Sequence, residues 1–165
     1  MSLTPNQKKL VRSKMTDFCV RAEAHENVWH YTQQRPFHGF GVVPEQWHAN
    51  DCSGYVSLVF NWAMHQTGLY LADPLGWSYS GWGNTGSEIL WLRKHGKHIE
   101  NNVFYVGDLA VYGDWGNTEH TTVCRKNGSA STSRWSSFGS ESGPKPEGLK
   151  YRSDLIGVWR HPALL

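Results

Sequence analysis

Cys52 stands between Asp51 and a Ser53-Gly54 pair, and an almost unbroken apolar run follows it to Met64. A thiol is a nucleophile only as its thiolate, and an unperturbed pKa of about 8.5 leaves little of that form at neutral pH. The first turn of a helix offers unpaired N–H groups and a partial positive charge, which favour an anion there and suit a developing oxyanion. Asp51 or Asn50 can cap such a helix, and Ser53 and Gly54 are small enough to leave the sulfur approachable. The same residues also describe a core thiol that merely opens an apolar helix, and taken alone they favour that plainer reading.

A nucleophile needs a base. Nine histidines are present, so a single one carries little weight. His120 is set apart by context: it opens the strand-like run EHTTVC, just after GDLAVYG and the polar turn DWGNTE. His95 and His98 read as solvated, His25, His30, His38 and His48 crowd one loop, and His65 and His161 look peripheral. A zinc site is the rival use of His120 and Cys124. On a strand, however, that spacing separates them by roughly 13 Å, and no C-x2-C or H-E-x2-H pair accompanies them.

The positioning elements follow from periodicity. Thr4-Pro5-Asn6-Gln7 reads as an N-cap, a proline at the first helical position and a capping-box glutamine. Val11, Met15, Phe18 and Ala22 then form the stripe of an amphipathic helix, with Cys19 as a packed core thiol beside it. Residues 29–50 read as an ordered loop. The helix from Ser53 to Met64 is apolar nearly all round and therefore buried. TGSE at 85–88 suggests a capping box for a short third helix. Strands are expected at 103–113, 119–126, 129–138 and 153–160, with a hairpin turn at Asn127-Gly128. Helices first and an antiparallel sheet afterwards describe an α+β domain. The predicted organisation is a single catalytic domain over 1–165, with an N-terminal helix in 1–28, a loop over 29–50, a helical part over 51–99 and the sheet over 103–160.

Composition narrows the function. Sixteen basic and 14 acidic residues give a net charge of +2, too even to predict a nucleic-acid or membrane-surface partner. Three widely spaced cysteines are not a disulfide framework and point to synthesis in a reducing cytoplasm. MSLTPNQKKLVRSK has no apolar h-region, so no secretory signal is expected, and no apolar run is long enough to insert in a membrane.

DCSGYVSLVFNWA, GDLAVYGDWGNTEHTTV and FGSESGPKPEGLKYRSDLIGVWR resemble, in order, three blocks of NlpC-type cell-wall cysteine peptidases, in particular those carried by bacteriophages of actinobacteria. HYTQQRPFHGF and GWSYSGWGNTGSEIL extend the resemblance, which runs from about His30 to Arg160. It implies a papain-like α+β fold, with the nucleophile at the N-terminus of a buried central helix packed on the sheet that carries the base. It also implies Cys52 as nucleophile and His120 as base, paired as thiolate and imidazolium, with no metal and no cofactor. Asp51 and Ser53 match positions that hold the free amine end of a stem peptide, and Tyr31 lines the groove.

One departure concerns the group that orients the base: related phage sequences read Ser-His-Gly-Ser-Glu where this chain has Ser137-Phe138-Gly139-Ser140-Glu141. Phe138 thus replaces the expected histidine. Glu141 is the expected substitute, with Ser137, Glu119 or a main-chain carbonyl as alternatives. The implied partner is bacterial peptidoglycan, cut in the stem peptide or its cross-link. The implied protein is a monomeric phage lysis enzyme of the endolysin type, released with a holin or other lysis proteins. Alternatives are an N-acetylmuramoyl-L-alanine amidase and a tail-associated protein that degrades or only binds the wall.

Overall fold

The chain is described by a computed structural model covering residues 2–165; Met1, the first residue of the predicted domain, lies outside the described residues. Helix α1 spans Pro5–Ala24, and Thr4 caps it in a complete capping box with Gln7. Val11, Met15, Phe18, Cys19 and Ala22 form its buried face. Two short parallel strands, β1 (Trp29–Tyr31) and β2 (His48–Asn50), close the loop between α1 and the next helix. His48 is structural within that loop: its ring stacks on Trp29 at 3.9 Å and its Nε2 contacts the Val43 carbonyl.

Helix α2 (Cys52–Thr67) starts on the Asp51 cap and stops at Gly68, whose φ of 66° is the left-handed geometry that favours glycine. Every residue from Cys52 to Ala63 is buried, as expected for a helix apolar all round. Helix α3 (Thr85–His95) begins one residue earlier in its cap than TGSE suggested, because Asn84 and Ser87 make the reciprocal capping bonds. That shift frees Glu88 from capping and turns it into the core.

Six antiparallel strands follow: β3 (Lys97–His98), β4 (Asp108–Asp114), β5 (Asn117–Lys126), β6 (Arg134–Gly139), β7 (Ser142–Glu147) and β8 (Leu155–Arg160). Their order in the sheet is β3-β8-β4-β5-β6-β7. The main core lies between the helices and one face of this sheet, and a smaller cluster of Phe104, Tyr112, Trp135 and neighbours covers the other face. The expected hairpin forms, with β5 and β6 paired antiparallel, but its connection runs over residues 127–133 rather than turning at Asn127-Gly128. Gly128 instead bridges Phe104, and the Ser129 N–H bonds the Thr132 hydroxyl, so local side-chain bonds replace the ladder until Arg134. The SGPKPE segment, which lies outside the expected strands, is strand β7. Its two prolines are tolerated because β7 is an edge strand. His161 is not peripheral: it is buried, with Nε2 on the Ala72 carbonyl. No helix among the described residues is long and apolar enough to cross a membrane.

Candidate active site

Cys52 is the first residue of α2, and its sulfur lies 3.7 Å from Thr85 Oγ1, the first residue of α3. The Thr121 main chain on β5 also reaches the sulfur. These contacts favour the thiolate, but burial and then the charge of Asp51 outweigh them, and the thiol is pushed up to about 11. Below the cysteine, Glu88 is fully buried and accepts a hydrogen bond from Thr121 Oγ1 at 2.9 Å. Burial holds its carboxyl well above the ordinary range, which favours the protonated form.

His120, the chain neighbour of Thr121, is 7% exposed. Its Nε2 lies 2.9 Å from Ser137 Oγ on β6, and Ser137 Oγ lies 3.2 Å from the Tyr151 hydroxyl. Burial, then the positive charge of Arg152, draw the imidazole down to about 4. Arg152 is itself held by Asp154 and Glu119. His120, Ser137, Tyr151 and Arg152 line a cleft of about 320 Å³ together with Tyr31 and Glu141.

Three expectations change here. Phe138 does not stand against His120. Strand alternation sends Ser136 and Phe138 toward the helices, where Ser136 Oγ bonds Tyr55 and the Phe138 ring packs on Trp29 and Tyr31. Ser137, between them, points the other way and meets the histidine. Glu141 is not the group on His120 either: it is exposed in the β6–β7 turn and contributes its charge to the cleft from a distance. Finally, no hydrogen bond joins Cys52 to His120 among the described residues. With the thiol shifted up and the imidazole down, the resting groups are both neutral rather than an ion pair, because both lie under dry cover.

Asp51 and Ser53 are brought together, but with an unexpected partner. Asp51 Oδ1 accepts from the Gly54 N–H at 2.9 Å and from Ser53 Oγ at 2.8 Å. Its Oδ2 accepts from Arg35 Nη2 at 2.7 Å, and the same nitrogen donates to Ser53 Oγ at 3.2 Å. The place expected for a substrate amine is therefore filled by a guanidinium. Arg35 and Asp51 line a second cleft, of about 650 Å³, with Trp77, Trp82 and Asn84. Sequence reading passed over Arg35, Thr85, Glu88 and Tyr151. Only Ser137 carried a usable signal, since alternation along β6 separates it from Phe138.

A buried helix that presents a cysteine at its N-terminus to an antiparallel sheet, with a histidine on the facing strand, defines a papain-like α+β fold. No protein-family model matches this chain, and no curated protein matches it. Solved structures do. One is a lipoprotein-like protein of the NLP/P60 family from Staphylococcus aureus subsp. aureus Mu50, with a TM-score of 0.51 and 15% identity over 98% of this chain. This chain covers only 43% of that protein. Another is the NlpC/p60 domain of the peptidoglycan hydrolase SagA, with a TM-score of 0.50 and 15% identity over 90% of this chain and 97% of that domain. The fold is that of the NlpC/P60 domains.

Proposed function

We propose that this protein is a peptidoglycan hydrolase that cuts an amide bond in the stem peptide or its cross-link, with Cys52 as nucleophile and His120 as base. The observation that carries the reading is a cysteine at the start of a buried helix whose sulfur is reached by the Thr121 main chain, next in sequence to an imidazole held at Nε2 by Ser137. The NlpC/P60 neighbours, one of them a peptidoglycan hydrolase, support it through the shared fold. With Nε2 occupied, Nδ1 is the nitrogen left to take the thiol proton. Sulfur attack on the carbonyl forms a tetrahedral oxyanion at the first turn of α2. There the Gly54 N–H is engaged by Asp51, which leaves the Cys52 and Ser53 N–H groups as donors. Collapse expels the amine, which takes its proton from His120, and leaves a thioester. Water, deprotonated by His120, then releases the acid and the free thiol.

Synthesis in a phage-infected host and release at lysis suit such an enzyme; mass analysis of the released fragments separates a peptide cut from an amidase cut next to the sugar. Zymography on purified walls tests the central step. Cys52→Ala and His120→Ala are each expected to abolish clearing while retaining a cooperative melt. Clearing by the Cys52 variant would overturn the mechanism.

A further inference from the structure

We infer that the Asp51 side of the site takes a stem peptide whose amino end is still acylated by the sugar, and that Arg35 excludes a free amine there. The inference rests on the peptidoglycan reading above. Both carboxylate oxygens of Asp51 are already engaged: Gly54 and Ser53 donate to Oδ1, and Arg35 donates to Oδ2. The Arg35 and Asp51 side chains are only 13% and 9% exposed. Arg35 is anchored a second time, by its Nε–H donating to the Gly83 carbonyl at 2.8 Å. An incoming ammonium would meet a fixed positive charge and would have to displace a guanidinium bonded to four residues, Gln34, Asp51, Ser53 and Gly83. An amide nitrogen carries no charge and meets no such penalty.

The cleft beyond this pair fits what an acylated stem carries. Its volume of about 650 Å³ exceeds that of the His120 cleft, and its walls include Trp77 and Trp82, which are 51% and 48% exposed. Large aromatic surface left open to water beside a reactive site is uncommon unless something covers it. Indoles offer an apolar face with a polar N–H, which matches the C–H face and hydroxyl rim of a pyranose ring. Asn84 and Gln33 on the same walls supply amide groups for the hydroxyls and the peptide. The occupant that combines a neutral acylated nitrogen with a sugar ring is a muramyl peptide.

Binding to the full-length Cys52→Ala protein tests this without turnover. Three ligands would be titrated by calorimetry: a muramyl tetrapeptide, the same tetrapeptide N-acetylated, and the tetrapeptide with a free amine. The muramyl form is expected to bind at least about tenfold more tightly than the free amine, with the acetylated form between them. Trp77→Ala and Trp82→Ala should remove the advantage of the sugar, and Arg35→Gln should narrow the gap by improving the free amine. Tighter binding of the free amine, equal binding of all three, or binding of none would each overturn the inference. Failure of the hydrolase reading shows separately, as wall clearing by Cys52→Ala.

Discussion

On one side of Cys52, Arg35 and Asp51 hold opposite full charges 2.7 Å apart, nearly out of water and bonded to Ser53, Gly54 and Gly83. On the other side, His120, Ser137 and Tyr151 form a chain of groups that burial keeps uncharged, the Tyr151 hydroxyl being pushed up to about 12. The two flanks therefore respond to change in opposite ways. A buried ion pair is rigid, because losing either member strands the other charge without solvent. A neutral hydrogen-bonded chain can accept and return a proton without uncovering a buried charge beforehand. The Arg35 flank suits holding and selecting; the His120 flank suits chemistry.

The largest effect expected from breaking this contrast is on stability. Asp51→Ala removes the α2 cap and leaves Arg35 buried and unpaired, a combination that costs about 3–5 kcal/mol. Thermal melting should show it as a large drop, whereas Asp51→Asn, which retains a capping oxygen, should lose less. On the His120 flank the corresponding change is mild in stability and visible in rate. Ser137→Ala deletes the hydroxyl that meets both His120 Nε2 and the Tyr151 hydroxyl, so kcat on a defined muropeptide should fall about tenfold while stability falls by only about 1–3 kcal/mol. Tyr151→Phe, one step further from the ring, should fall less. A Ser137→Ala enzyme with unchanged kcat would remove Ser137 from the site.

Acid exposes the neutral flank next. His120 and His161 are both drawn from 6.5 down to about 4 in the folded chain, chiefly by burial. The unfolded chain therefore binds these protons first. Their contribution is full above about 6.5 and is lost as pH falls from there toward 4. Denaturant melts between pH 7 and pH 4 should show the decline, and His161→Phe should flatten part of it without touching kcat. The smallest effect is expected at Glu88. Burial shifts its carboxyl toward the uncharged form, and Glu88→Gln keeps the acceptor for Thr121, so it should change stability by less than about 1 kcal/mol. Glu88→Ala strands the Thr121 hydroxyl and should cost about 1–3 kcal/mol.

These contrasts also explain what could be read from the sequence. The buried α2, its Asp51 cap, the α1 stripe and the α+β order follow from period and capping chemistry, which are local. The position of Cys52 at a helix start is likewise local, and His120 stands out by opening a strand-like run, its role as base coming with the resemblance. What failed depends on which face a side chain takes after the sheet is assembled. Phe138 drew notice because a family position was aligned, yet the pleat turns it into the aromatic core and gives the histidine to Ser137. The Arg35–Asp51 pair joins a loop to a helix start across 16 residues without periodicity to announce it. The cap of α3 moved by one residue because Asn84 and Ser87 close their own box, and that single step buried Glu88 beneath the cysteine.

The most direct measurement of the central claim is the rate at which each cysteine is alkylated, read by peptide mass mapping across pH in the wild type and in His120→Ala. Cys19 and Cys124 are buried with their thiols shifted further up than that of Cys52. Cys52 should therefore label first, faster as pH rises, and distinctly more slowly once His120 is gone. Equal labelling of the three cysteines, unaffected by His120→Ala, would contradict a Cys52 nucleophile served by that histidine.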